Sequence, residues 1–330
     1  MNKSYPERAG RVVALCGGVG GAKLAFGLAH ILGNDLTLLV NTGDDFEHLG
    51  LTVSPDIDTV LYTLSGLANR ELGWGRQGES WNFMEALSTL GGETWFRLGD
   101  RDLAIHVERT RRLRAGETLS TITSSMVDHF GIEARVFPMS DQKVSTVVAT
   151  PEGPLPFQRY FVERRCAPRV AGITFQGAVE ADAPPQVISA LNDPALRTII
   201  ICPSNPYLSI DPILAVPGIR SGIERADVPV IAVSPIIGGK AVKGPTAKIM
   251  AELAVPATSK AIAEHYGGVI DGLVIDHADA DDRETVNCPV HVTTSLMTSD
   301  EDRIRLAGEV LDFAYRLAPN AEAITLRRGQ

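Results

Sequence analysis

A doubly wound, mostly parallel α/β sheet of the Rossmann-like kind, with an inserted α+β subdomain, is the fold this chain predicts. Three observations predict it. Continuous apolar, β-branched runs recur at 12–15, 36–40, 198–202, 229–233 and 272–275, as in parallel strands covered on both faces. Longer helical patterns alternate with these runs. Each run also ends in chemically loaded residues, where open sheets of this class place their ligands: Cys16-Gly17, Asn41-Thr42-Gly43-Asp44, Cys202-Pro203-Ser204-Asn205, Ser234-Pro235-Ile236-Ile237-Gly238-Gly239 and Asp276-His277.

The first run, Val12–Leu15, leads into Gly17-Gly18-Val19-Gly20-Gly21-Ala22-Lys23 and then the apolar-periodic segment Leu24–Leu32. That is strand, tight glycine turn, helix. Glycines permit positive φ and bring backbone N–H groups close to a diphosphate, with the positive end of the helix behind them. The loop is not a P-loop, because Ala22 and Leu24 flank Lys23 where Gly and Ser/Thr are needed. Nor is it a clean dinucleotide fingerprint, since Lys23 stands in place of the third glycine. A lysine at a helix start opposes the dipole, which fits a ligand phosphate beside it.

The second run, Leu36–Val40, ends in Asn41-Thr42-Gly43-Asp44-Asp45. Pro55-Asp56-Ile57-Asp58-Thr59 follows just before a helix, with Asp58 a candidate cap. Four carboxylates within fifteen positions, with no nearby histidine or cysteine cluster, favour Mg²⁺ over zinc, held by at least two of them.

Helical patterns run from about Thr59 to Ala68 and from Ser80 to Leu90. Arg97-Leu98-Gly99-Asp100-Arg101-Asp102 reads equally as a surface turn with local ion pairs or as a clamp on an anionic ligand. Met139-Ser140-Asp141 can cap a helix. Ser145–Ala149 and Phe157–Glu163, flanking Pro151-Glu152-Gly153-Pro154, read as a hairpin. The organisation expected is a nucleotide-binding core of 1–60 and 190–330, with 61–189 as the inserted helical and hairpin subdomain. Farther on, Ser204 and Asn205 offer a hydroxyl and an amide, and Pro206 discourages a helix from starting there. Lys240, Lys243 and Lys248 flank a glycine turn after a strand end, in a position to reach phosphate.

The 330 residues, 44% of them hydrophobic, suffice for a large core. A net charge of −9 argues against nucleic acid, and the cluster Arg109-Thr110-Arg111-Arg112-Leu113-Arg114 reads as a solvated helix face. Cys16, Cys166, Cys202 and Cys288 lie far apart and fit reduced thiols. His48 sits in the acidic segment and could approach the site; the other six histidines read as structural or surface residues. No run of about 18 apolar residues occurs, no membrane partner is expected, and a cytoplasmic protein is the reading.

Taken together, the glycine loop, Asn41–Asp45, Pro55–Thr59, Gly99–Asp102, Cys202–Pro206 and Pro235–Pro245 resemble, in order from about 11 to 250, the 2-phospho-L-lactate transferase family. The resemblance implies a Rossmann-like fold with an insertion and a role in making the deazaflavin coenzyme F(420). It implies transfer of a 2-phospholactate-type group, or its phosphoenolpyruvate or 3-phosphoglycerate counterpart, from a guanosine diphosphate conjugate to Fo (7,8-didemethyl-8-hydroxy-5-deazariboflavin), with release of GMP. Mg²⁺ would sit on Asp45 and Asp58. Gly18, Gly20, Gly21, Lys23, Ser204, Asn205, Lys240 and Lys243 would hold the donor's nucleotide and phosphates. Asp58 and Arg97 match family positions that contact Fo, so Asp58 would orient the attacking hydroxyl. Arg97 stands where archaeal members often carry lysine, and Val19 where threonine is common. A guanylyltransferase supplying the donor is the expected functional partner, and a homodimer the expected assembly. Trp74 to Trp81, with Arg97, would wall the flat acceptor or else form the insertion's own core. The competing reading is a non-enzymatic relative that binds a nucleotide sugar and regulates cell-wall metabolism.

Overall fold

The computed structural model describes residues 10–71, 73–242 and 244–318, and its centre is a sheet of seven strands. These are β1 (Arg11–Cys16), β2 (Leu36–Val40), β3 (Arg135–Pro138), β4 (Leu196–Ile201), β5 (Val230–Val233), β6 (Gly272–Asp276) and β7 (Val290–Thr293). They lie in the order β7-β6-β5-β4-β1-β2-β3, and every neighbouring pair is parallel. The chain therefore winds outward in both directions from β1, and the topological switch falls between β1 and β4. All residues of β2, β5 and β6 are buried. One sheet face buries Val13, Leu15, Leu39 and Ile199, the other Val12, Ala14, Leu38 and Ile200, which is why these strands read as unbroken apolar runs.

Helix α1 (Gly18–Leu32) lies against the C-terminal helix Asp300–Leu317. Gly27 permits this approach, because a Cβ there would collide with the Arg303 carbonyl. Helix α2 (Pro55–Leu64) starts earlier than the periodicity suggests, with Ser54 as the flanking residue and Pro55 at the first helical position. Proline is favoured there because that N–H has no intrahelical partner. Asp56 and Asp58 thus fall in the first turn, where carboxylates suit the dipole.

Three more helices follow: α3 (Asn82–Thr89), α4 (Asp102–Arg114) and α5 (Leu119–His129). The 61–189 segment then returns to the central sheet as β3, which pairs with β2. Beyond β3 lies a separate antiparallel sheet of Ser145–Thr150, Gly153–Pro156 and Gly172–Gln176. The hairpin is tighter than expected. It turns at Gly153, whose φ is +118°, and the returning strand stops at Pro156. A proline lacks the N–H needed to extend the ladder, so Phe157–Glu163 leaves the strand, and Arg159–Glu163 is helical. Among the described residues no helix is long and apolar enough to cross a membrane.

Candidate active site

A cavity of about 790 Å³ opens at the C-terminal ends of the central strands, as the switch-point rule requires. One end is built by the glycine loop and the segment after β4. Gly18 has φ +64° and nothing within 4 Å of where a Cβ would stand, so its backbone faces open space. A Cβ on Gly20 would instead lie 2.5 Å from the Pro203 carbonyl oxygen, and one on Gly21 would strike the Ser204 hydroxyl. Ser204 pins the loop from below: its Oγ donates to the Gly17 carbonyl (2.8 Å) and accepts from the Gly17 N–H (3.1 Å). Asn205 Oδ1 accepts from the amides of Tyr207 (3.0 Å) and Leu208 (3.2 Å), which starts a helical turn at Pro206. The expectation that Pro206 keeps helix away is therefore corrected: at the first helical position its missing N–H costs nothing. Asn205 Nδ2 is left buried without a partner, and Asn205 lines the cavity. Lys23 extends across this end and donates to the Met297 carbonyl (2.7 Å).

The carboxylates stand in the middle. Asp56 accepts from the Gly18 N–H (2.8 Å) and from Asn41 Nδ2 (2.9 Å), tying the acidic segment to the glycine loop. Burial, and then the neighbouring Asp56 charge, push the Asp44 pKa well above the carboxylate range. Burial does the same to Asp45, against the hydrogen bond it accepts from Ser54 (2.6 Å). Asp44 Oδ1 and Asp45 Oδ1 are both buried with no hydrogen-bond partner. Asp58 is differently placed. Both of its oxygens accept from the fully buried Arg109, Nη1 reaching Oδ2 at 3.1 Å and Nη2 binding Oδ1. His106 Nδ1 lies 3.6 Å from Asp58 Oδ2, and its Nε2 lies 3.3 Å from Asp102 Oδ2. Asp102 also accepts from the Tyr62 hydroxyl (2.6 Å). Burial would raise the Asp102 pKa, but the bonds and charge from His106 outweigh it and the net direction is down.

The other end is aromatic. Trp74, Trp95, Phe96, Phe157 and Phe161 line it, together with Arg97. The Arg97 guanidinium stacks over the Trp81 ring at 4.0 Å, a contact that holds a planar cation in place. His48 is buried behind this wall with its ring centroid 5.1 Å from that of Trp95, and burial lowers its pKa.

The cavity wall thus unites Gly18, Gly20, Lys23, Asp58, Arg97, Ser204 and Asn205. Gly21 and Asp45 stand behind the wall, and Lys240, on a two-residue strand, does not line it. Lys243 lies outside the described residues. Asp100 caps α3 instead of facing a ligand: it accepts from the amides of Asn82 and Phe83 and from the Ser80 hydroxyl, bonds that hold its pKa near about 2. Arg109 corrects the reading of 109–114 as a solvated face, since it points inward while Arg111 is exposed. Tyr62 is not signalled by the sequence, His106 reads there as structural or surface, and Asp102 and Arg109 enter only inside charged segments read as a turn or anion clamp and as a solvated helix face. One signal was available: Asp102, His106 and Arg109 are four and three residues apart, a spacing that sets them on one helix face.

The chain matches the family model described as 2-phospho-L-lactate transferase CofD over residues 12–308. It belongs to that family. It is 40% identical over 314 residues to the phosphoenolpyruvate transferase of Streptomyces coelicolor, covering 92% of this chain and 98% of the relative. To the 2-phospho-L-lactate transferase of Methanosarcina mazei it is 38% identical over 304 residues, covering 91% and 99%. A crystal structure of a UPF0052 family member from Bacillus halodurans superposes with a TM-score of 0.62 at 15% identity, covering 92% of this chain and 99% of that one. That likeness is one of fold. The CofD family is a family of transferases, and the doubly wound, Rossmann-like architecture is the one the sequence leads one to expect, with two edge strands beyond the five it signals.

Proposed function

We propose that this transferase moves a phosphorylated three-carbon acid from a guanosine diphosphate conjugate to Fo, releasing GMP. The observation that carries the reading is the two-ended cavity. A phosphate-type cradle of backbone amides with Lys23 and Asn205 meets an aromatic wall across a band of carboxylates. The donor's diphosphate would lie against the first amides of α1, which have no intrahelical acceptors. The flat tricycle of Fo would pack on the aromatic wall, with Arg97 beside it and its ribityl tail directed toward Asp58. Asp58, held by Arg109 and flanked by His106, would orient the terminal hydroxyl. The hydroxyl oxygen bonds to the phosphorus carrying the three-carbon group, the bond to the GMP oxygen breaks, and the hydroxyl proton is released. Such a reaction rests on positioning and charge stabilisation, so no covalent nucleophile is needed.

A divalent cation fits the acidic band. Asp44 Oδ1 and Asp45 Oδ1 are buried oxygens without a donor, and burial and mutual repulsion disfavour their charged forms. Among the described residues no three His, Cys, Asp or Glu side chains converge on one point; Mg²⁺ characteristically takes one or two carboxylates and keeps several waters. Asp45 would supply an oxygen directly. Asp58, with both oxygens already accepting from Arg109, would act beside it. The bound ion would neutralise the diphosphate charge.

The test is incubation of the purified protein with Fo, GTP, Mg²⁺, a partner guanylyltransferase and each of 2-phospholactate, phosphoenolpyruvate and 3-phosphoglycerate, followed by mass measurement of the product. A mass equal to Fo plus the phosphorylated acid, less water, supports the reading and identifies the acid. No product with any acid, alongside tight binding of a uridine nucleotide sugar, would establish the regulatory alternative.

A further inference from the structure

Where α2 meets α4 the cavity wall is polar. Asp58 and Tyr62 come from α2, one turn apart, and Asp102, His106 and Arg109 from α4. Asp58, Tyr62, Asp102 and His106 line the cavity, and Arg109 lies fully buried behind them. An arginine has donors and no acceptor, so the 3.4 Å contact of Arg109 Nη1 with His106 Nδ1 places the lone pair on Nδ1. Asp58 Oδ2, 3.6 Å from the same nitrogen, already accepts from Arg109. The ring proton is then on Nε2, which makes no hydrogen bond elsewhere and faces Asp102 Oδ2 at 3.3 Å. The other Asp102 oxygen accepts from the Tyr62 hydroxyl (2.6 Å). Burial pushes the Tyr62 pKa up, and the Asp58 and Asp102 charges act in the same direction, so this hydroxyl stays a donor.

We propose that Asp102 is a positioning residue for the acceptor. By holding the Nε2–H form of His106 it keeps Nδ1 open to Arg109, and Arg109 in turn fixes both oxygens of Asp58. Tyr62 steadies Asp102 from its other side. For the identity of the acceptor this rests on the transferase reading; for the network it rests on the geometry alone. The competing role for Asp102 is that of a first-turn carboxylate serving the dipole of α4. A dipole role is felt in stability. A positioning role is felt in turnover, since misplacing a reacting group by about 1 Å can cost about 100-fold.

The decisive variant is Asp102→Asn, which keeps the shape of the side chain. With its oxygen accepting from Tyr62, the amide turns N–H groups toward Nε2 and drives the ring proton to Nδ1, against Arg109. Two-bond proton–nitrogen NMR of the full-length protein, labelled in its histidine rings and free of substrate, reads the tautomer. His106→Gln identifies the His106 signals among those of the seven histidines. The parent should show the Nε2–H form and Asp102→Asn the Nδ1–H form. Turnover is then measured with Fo, Mg²⁺ and the donor made in place from GTP, the partner guanylyltransferase and the acid that yields product. Asp102→Asn should lose about 10–100-fold in kcat while the KM for the donor stays within about 2-fold. In a His106→Gln background the same substitution should cost less than about 2-fold more, because Asp102 acts through the ring. A parent ring protonated at Nδ1, or an Nε2–H form that survives in Asp102→Asn, would overturn the network. An unchanged kcat in Asp102→Asn, or an equal loss with and without His106, would overturn the positioning role. If the parent makes no product with any acid, the transferase reading fails and the positioning role falls with it, while the NMR result still decides the network.

Discussion

Replacing Arg109 by methionine preserves most of the side chain's length and apolar stem while removing its charge from the centre of the acidic band. The side chain is fully buried. It donates to both oxygens of Asp58 and, at 3.4 Å, to the Thr52 carbonyl. Burial alone would lower its pKa; Asp58, and then Asp45, more than compensate and raise it. Removing one partner of a buried pair leaves an uncompensated charge, which costs about 3–5 kcal/mol. Two charge-assisted hydrogen bonds at about 1.5–3 kcal/mol each give an overlapping range of about 3–6 kcal/mol. Against a total stability of about 5–15 kcal/mol, that is a large fraction. Urea unfolding followed by circular dichroism should therefore show a much lower midpoint with an unchanged slope. Asp58→Asn and the double variant complete a cycle. Because the neutral amide introduced by Asp58→Asn no longer needs a cation, the double variant should be about 2–4 kcal/mol more stable than the two single losses predict. Arg109→Lys should recover only part of the loss, since an ammonium cannot bridge both oxygens in a fork. Single losses that add to within about 0.5 kcal/mol would refute the coupling on which the placement of Asp58 rests.

Further outcomes follow from the same geometry. Because burial raises the pKa values of Asp44, Asp45 and Asp56, the folded state binds more protons than the unfolded one above about pH 4, and stability should fall as pH rises through that window. Added Mg²⁺ should flatten this fall in thermal melts. Asp45→Asn should reduce both the slope and the Mg²⁺ response and lower turnover by orders of magnitude while the fold persists; melts insensitive to Mg²⁺ at every pH would count against a cation there. Gly20→Ala should destabilise more than Gly18→Ala, because the first meets the Pro203 carbonyl at 2.5 Å whereas the second meets only the roughly 1–2 kcal/mol of left-handed backbone strain at φ +64°; the reverse order in melting temperatures would contradict the loop packing. Arg97→Ala should raise the KM for Fo and leave donor affinity nearly unchanged, and a loss confined to the donor would move Arg97 to the other end of the cavity.

The strands legible in the sequence are those buried on both faces. β1, β2, β4, β5 and β6 sit inside the sheet, so their apolar runs are unbroken. β3 and β7 are its two edges, and they escaped for reasons that belong to edges. Arg135-Val136-Phe137-Pro138 is four residues long with a proline inside, and Val290-His291-Val292-Thr293 is interrupted by a histidine that stacks on Phe313. The same distinction holds at the site. Glycine loop and acidic motifs are short stretches whose chemistry is written in adjacent residues, and Gly18, Gly20, Lys23 and Asp58 do line one cavity. The aromatic wall is assembled from Trp74, Trp95, Phe96, Phe157 and Phe161, residues scattered over almost ninety positions with no period to connect them.

Asp58 shows most directly where local reasoning stops. From its neighbours it reads as a helix-start carboxylate or a metal ligand, and both readings treat its oxygens as available. The structure assigns those oxygens to a guanidinium 51 residues away, on a helix whose arginines look like solvent-facing charge. A carboxylate already neutralised by a buried cation is a weaker candidate for direct metal ligation than Asp45, whose Oδ1 has no donor, yet it is better fixed in direction. Orientation of a polar acceptor group is the task that such fixing serves. The pair of aspartates that sequence presents as equivalent is thereby divided into one with a free oxygen and one with a fixed position, and the Arg109 cycle and the Asp45 titration test the two halves of that division separately.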